Sequence, residues 1–198
     1  MAEMIDNELL VGQFNRGDQA EGLDRTKTPF GPAVFGTIVE QYSADVGTLA
    51  NRLLGWPGDV EDVTQEVFLA AYLGLRNFRG DCSLKSWLFT ITINKCRSHR
   101  RRQLLRLRAF SRAAERSRLP SASTASENPT DMETLNRVRS AVAALPARYR
   151  EPVVLRHLQE LPPGQIAQIL GISQNALNVR LSRARKRLRE NLSKQIEL

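Results

Sequence analysis

LPPGQIAQILGISQNALNVRLSRARKRLRENL, residues Leu161–Leu192, decides the fold, because its apolar spacing and its punctuation fit two short helices joined by a tight turn. Pro162 and Pro163 suit a first helical turn, where the missing N–H costs nothing. Ile166, Ala167, Ile169 and Leu170 then supply one apolar side. Gly171 stops that helix, being the residue best able to take the left-handed conformation behind a helix end. Ser173 is an N-cap for the next helix, in which Leu177, Leu181, Ala184, Leu188 and Leu192 form a continuous apolar stripe. The opposite face of the second helix is therefore free for other work.

That outward face carries Asn175, Asn178, Val179, Ser182, Arg183 and Lys186, with Arg180 and Arg185 on its flanks. Amides, a small apolar group and cations in this arrangement match the DNA major groove. Asn can bond an adenine edge with both amide atoms, Val can touch a thymine methyl, and Arg and Lys can take phosphates. A solvated basic helix would show the same charge. The Gly-Ile-Ser turn between two patterned helices is what favours a helix-turn-helix.

The rest of the composition agrees with that reading. The 198-residue chain is 41% hydrophobic but only 6% aromatic, which indicates a helical globular protein, and its length suits two small domains better than one. A net charge of +8 and a pI near 10.2 call for a polyanionic partner, nucleic acid first and an anionic membrane surface second. No apolar run is long enough to span a bilayer, since even Trp87 to Ile93 is broken by Thr90 and Thr92, so membrane insertion is not expected. Met1 to Leu10 is acidic where a signal peptide would be basic, and a cytoplasmic protein is the expectation. Cys82 and Cys96 are the only cysteines. Cys96 and His99 could share a helix face, but further ligands are missing, so neither a disulfide scaffold nor a bound metal or other cofactor is expected.

Along the chain, Ile5 to Gly22 begins as a short helix with Asp6 as its cap, and Glu21 to Val34 reads as an exposed loop punctuated by Gly and Pro. From Val34 to Leu54 the residues Phe35, Ile38, Val39, Tyr42, Val46, Leu49, Ala50, Leu53 and Leu54 are spaced for a buried helix face. Asp59 precedes a second helix that buries Val60, Val63, Val67, Phe68, Ala71, Tyr72 and Leu75 while Glu61, Asp62, Gln65 and Glu66 lie on its polar side. Such carboxylates would repel phosphate. They face a protein or support the helix N-terminus through its dipole.

Asn77 to Ser83 is a loop, and Ser83 can cap a long helix beginning at Leu84. That helix turns strongly cationic at Arg97, Arg100, Arg101, Arg102, Arg106 and Arg108, a stretch suited to phosphates, though a solvated helix end is the plainer reading. Phe78, Trp87 and Phe89 nearby suggest a surface that stacks on unpaired bases. Leu119 to Asp131 is rich in Ser, Thr and Pro and reads as a flexible linker. Beyond it Leu135, Val138, Val142 and Leu145 mark one helix, ended by Pro146, and Val153, Val154, Leu155 and Leu158 mark another that closes the core of the helix-turn-helix.

Together these segments resemble the bacterial RNA polymerase sigma factors of the compact extracytoplasmic-function (ECF) type. GDVEDVTQEVFLAAY (58–72) with NFRGDCSLKSWLFTITINKCR (77–97) looks like region two. LPARYREPVVLRHLQELPPGQIAQILGISQNALNVRLSRARKRL (145–188) looks like region four, in the correct order. The resemblance implies an all-α chain of two small helical domains: an N-terminal helix and loop over 1–34, region two over 35–108, a linker over 109–131 and region four over 132–198. It implies that Asp59, Glu61, Asp62, Gln65 and Glu66 dock on core polymerase. Phe78, Arg79, Asp81 and Ser83, with Asn94 behind them, would pocket a base flipped from the minus-ten element. Lys95, Arg97, Ser98, Arg101 and Arg102 would hold the adjacent strand and duplex. Gln174, Asn175, Asn178, Val179, Arg180, Ser182, Arg183 and Lys186 would read the minus-35 element.

The chain departs from the family at the start of the helix-turn-helix, where Pro162, Pro163, Gly164 and Gln165 stand in place of a Ser or Pro and an acidic pair, and at Asn178 and Val179. The partners implied are core RNA polymerase, promoter DNA and an anti-sigma factor, with self-restraint by region four folded onto region two as the alternative to the last. A free-standing helix-turn-helix regulator is the competing function. An enzyme is the weakest reading, for want of a nucleophile and base, a metal cluster or a phosphate-cradling loop.

Overall fold

The structure is a computed structural model that describes residues 32–55, 59–114 and 131–196. Within them the chain forms seven α-helices and no strand. The expected N-terminal helix with its Asp6 cap, most of the Glu21 to Val34 loop and nearly all of the linker lie outside the described residues.

Three helices build the first bundle: α1 (Pro32–Leu54), α2 (Val60–Gly74) and α3 (Leu84–Ala114), with a 3₁₀ turn at Leu75–Asn77 after α2. The apolar spacing sets their buried sides. Val46, Leu49 and Leu53 of α1 meet Val63, Val67 and Ala71 of α2 and Leu88, Phe89 and Ile93 of α3, all essentially without solvent contact. Ser83 caps α3 as its sequence position suggests, its Oγ accepting from the Ser86 N–H at 3.2 Å. Two boundaries differ from expectation. Helix α1 starts at Pro32, inside the expected loop, because a proline's fixed φ suits a first helical turn. Helix α3 runs to Ala114, past the expected domain edge at 108, through residues of good helix propensity.

The second bundle comprises α4 (Asp131–Ala144), α5 (Ala147–Val153), α6 (Pro163–Leu170) and α7 (Gln174–Ile196). Helix α5 widens into a π-type turn at Val154–Leu158, where the Gln159 N–H reaches the Val154 carbonyl at 3.0 Å. Pro152, with no N–H to give the ladder, stands just ahead of the widening. Ala141, Leu145, Val154, Leu155, Ile166, Ile169, Leu177 and Ala184 form the core. Val138 and Leu158, expected on buried faces, are exposed instead: Ala141 of α4 and Leu145 just beyond its end take the inward positions, and the π-type turn swings Leu158 outward. The turn between α6 and α7 follows the sequence closely. Gly171 has φ +63°, its N–H bonds the Gln168 carbonyl, and the Ile172 N–H bonds the Ala167 carbonyl, the paired bonds of a Schellman helix end. Ser173 Oγ then accepts from the Ala176 N–H.

The two bundles do not stand apart. Their apolar residues join in one continuous cluster, and α6 lies against α3.

Candidate nucleic-acid interface

The second helix of the helix-turn-helix, α7, presents the face that its periodicity demands. Leu177 and Ala184 are fully buried and Leu181 nearly so, which anchors the helix and turns its other side outward. Gln174, Asn175, Asn178, Val179, Ser182, Arg183 and Lys186 are all exposed, and Arg180 is half-buried. Val179 is 48% exposed, an apolar side chain left in water among amides and cations. Behind this face the guanidiniums of Arg148 and Arg187 flank the Tyr149 ring, 4.7 and 5.1 Å from its centroid, and Arg183 lines the same depression.

On the first bundle, the residues assigned to the minus-ten element divide into three sets. Lys95 and Arg102 of α3 converge on Glu66 of α2, at 3.6 and 2.9 Å. Partial burial works the other way, yet Arg102 and Lys95 together hold the Glu66 carboxyl below its usual range. Arg79, Ser98 and Arg101 are exposed. The third set faces the other bundle. Arg97 Nε and Nη2 donate to the two Glu151 carboxylate oxygens at 2.7 and 2.6 Å, and its Nη1 donates to Asn94 Oδ1 at 3.3 Å. The Asp81 carbonyl accepts from Gln168, and the Ser83 hydroxyl bonds that of Ser86, which also meets Gln165.

Two expectations for this surface need correcting. Phe78 is only 8% exposed and Phe89 1%, with the Phe78 ring centroid 5.1 Å from that of the half-buried Trp87. Neither phenylalanine is open for stacking on a base, because their apolar rings gain more from the core than from solvent. Arg100 is not aimed at phosphates either. It is half-buried between the bundles, 3.4 Å from the Leu54 and Ala143 carbonyls, and burial lowers its pKa from the ordinary value.

The acidic face of α2 is in place, with Glu61, Asp62 and Gln65 exposed and Asp59 paired to His99 at 3.0 Å. Glu61 and Asp62 occupy the first turn, where the helix dipole favours them. Sequence reading passed over Leu69 and Leu73, each 61% exposed. The signal was present: positions 62, 66, 69 and 73 follow helical spacing, so the carboxylate face continues into two solvent-facing leucines. Glu151 was also missed, since nothing local marks a buried carboxylate whose partner lies on another helix. Cys96 is buried, its thiol pushed up to about 12 chiefly by that burial, while His99 turns to Asp59. Among the described residues no group of three His, Cys, Asp or Glu side chains could hold a metal, and no helix is long and apolar enough to cross a membrane.

Known proteins share this arrangement. Residues 38–105 match the family model Sigma-70 region 2, and residues 135–188 match Sigma-70, region 4. The ECF RNA polymerase sigma-E factor of Escherichia coli (strain K12) is 29% identical over 193 residues, covering 94% of each chain. The ECF RNA polymerase sigma factor SigW of Bacillus subtilis (strain 168) is 28% identical over 170 residues, covering 80% of this chain and 88% of its own. Among solved structures, the sigma factor RpoE in complex with the anti-sigma factor NepR from Bartonella quintana superposes with a TM-score of 0.60 at 25% identity, over 80% of this chain and 96% of that one. CnrH in complex with the cytosolic domain of CnrY superposes with a TM-score of 0.61 at 25% identity, over 96% and 99%.

Proposed function

Because this chain belongs to the ECF sigma factors of bacterial RNA polymerase, with regions two and four in order, we propose how its residues divide the work of promoter recognition. Region four, from residue 132, reads the minus-35 element through the exposed face of α7. Asn175 and Asn178 meet base edges, Val179 meets a thymine methyl, and Arg183 and Lys186 take phosphates. Region two, residues 35–108, engages the minus-ten element. Asp81, Ser83 and Asn94 border the captured base, and Lys95, Arg97, Ser98, Arg101 and Arg102 hold the backbone. Opening the duplex costs a few kcal/mol per unstacked step, which base capture and those contacts offset.

Asp62, Gln65 and Glu66 dock on core polymerase, and Leu69 and Leu73 extend that face with apolar area. Carboxylates steer the encounter and the leucines supply burial, the usual division at a protein interface. The protein is a noncatalytic subunit and works in the cytoplasm, where polymerase meets the chromosome. The relatives solved with anti-sigma factors support a partner of that kind here. The observation that carries this reading is one chain presenting an exposed amide-and-cation face on α7, a cationic helix α3 and an acidic face on α2 within matched sigma regions.

The test is transcription by core polymerase with and without the purified protein on genomic DNA, with the 5′ ends of the RNA sequenced. Start sites preceded by a shared two-part element are expected only when the protein is present. Tight duplex binding by the lone protein, unaffected by core enzyme and accompanied by no new start sites, would establish a free-standing regulator instead.

A further inference from the structure

Tyr149, in the first turn of α5, gathers cations beyond those of the α7 reading face. Its ring is 5% exposed, the guanidiniums of Arg148 and Arg187 rest over it at 4.7 and 5.1 Å from the centroid, and Arg183 donates to its hydroxyl oxygen. Burial pushes the hydroxyl pKa up, but the three arginines outweigh it and bring the value below the ordinary one. Tyr149, Arg183, Lys186, Arg187 and Glu190 line an open depression of about 410 Å³. Arg148, Arg183, Lys186 and Arg187 are all exposed, and Glu190 supplies the one carboxylate of the described lining. Like charges held this close repel one another, and an anion seated among them relieves that cost. A guanidinium resting over a ring engages it through its face, which leaves the N–H groups at its edge to donate to phosphate oxygens.

The depression lies beside the reading face. At helical spacing Arg183, Arg187 and Glu190 fall on the flank of α7 next to Val179, Ser182 and Lys186, and α5 borders that flank through Arg148 and Tyr149. A helix in the major groove has a sugar-phosphate strand running along each of its flanks. Being open, the depression suits a group carried past it on such a strand better than a small free anion, which needs enclosure. We propose that Arg148, Arg183 and Arg187, arrayed round Tyr149, form a second contact on duplex DNA: a cradle for one backbone phosphate of the strand bordering the groove, outside the bases that α7 reads. The proposal rests on the assignment of the outward face of α7 to the minus-35 element. Such a contact carries no sequence information and instead fixes how α7 lies in the groove.

The experiment uses holoenzyme assembled from core polymerase and the full chain, as wild type, the double variant Arg148→Ala with Arg187→Ala, and Glu190→Gln. Each binds promoter duplexes, taken from mapped start sites, in which one backbone phosphate at a time around the minus-35 element is replaced by a neutral methylphosphonate. Neutralising one phosphate outside the contacted bases is expected to weaken the wild type roughly tenfold and to leave the double variant unchanged. The double variant binds every minus-35 sequence more weakly by the same factor, with a slope of log affinity against log salt about one unit smaller. Glu190→Gln removes the opposing carboxylate and tightens binding severalfold, a gain that disappears when residues 148 and 187 are both replaced. That gain carries the test should the double variant lose helix content by circular dichroism. The cradle is overturned if no phosphate separates wild type from the double variant, if the double variant keeps the wild-type slope, or if Glu190→Gln binds no tighter. Inorganic pyrophosphate that saturates the wild type but not the double variant, with every methylphosphonate without effect, assigns the cradle to a free phosphate ligand and overturns the duplex contact. Failure of the region-four reading appears separately, as indifference of the wild type to base changes in the minus-35 element.

Discussion

Replacing Gly171 isolates the backbone cost of the helix-turn-helix turn. Its φ of +63° lies in the left-handed region, and no atom stands within 4 Å of where a Cβ would project. A side chain there meets no steric clash, so Gly171→Ala carries the conformational term alone. For an L-residue that term is roughly 1–2 kcal/mol. Alanine also restricts the unfolded chain, which offsets about 0.4–1 kcal/mol, leaving a net loss of about 1 kcal/mol. Asparagine populates left-handed backbone several-fold more often than most residues, so Gly171→Asn should cost visibly less than Gly171→Ala. The Gly171 and Ile172 N–H bonds to Gln168 and Ala167 tie this turn to the end of α6, so the loss should appear in unfolding of the second bundle. Urea unfolding followed by circular dichroism at 222 nm measures it, as a lower midpoint with an unchanged slope. Equal losses for alanine and asparagine, or none for alanine, would refute the argument that backbone conformation selects glycine here.

Within region four, Asn178→Ala should cost roughly 1–3 kcal/mol at a single promoter position, seen by comparing holoenzyme affinities for a set of base substitutions, whereas a uniform loss would make Asn178 a backbone contact. Arg183→Ala should weaken all promoters alike and reduce the slope of log affinity against log salt by about one unit. With its thiol pushed up to about 12 and its surroundings closed, Cys96 should resist a disulfide reagent at pH 8 in the native protein and react on addition of denaturant. Cys82 is half-buried, and its thiol is raised by partial burial and by Asp81, so it should react slowly and ahead of Cys96. Equal native rates for the two thiols would contradict the burial of Cys96.

Local chemistry was legible in the chain. Gly171 and Ser173 mark a helix end and a helix start, and the stripe through Leu177, Leu181 and Ala184 states which side of α7 is buried and therefore which side faces outward. Sequence determines such features because a helix places residues three and four apart on one face whatever surrounds it. Tertiary structure alone decided the partners. Arg97, Arg100, Arg101 and Arg102 are alike in sequence, yet one is clasped by a buried carboxylate, one lies between carbonyls, one is exposed, and one shares Glu66 with Lys95. Phe78 reads as a stacking surface until the packing against Trp87 is seen. Periodicity specifies the direction in which a side chain leaves its own helix, but what it meets depends on how a second bundle, many residues away, docks against that face.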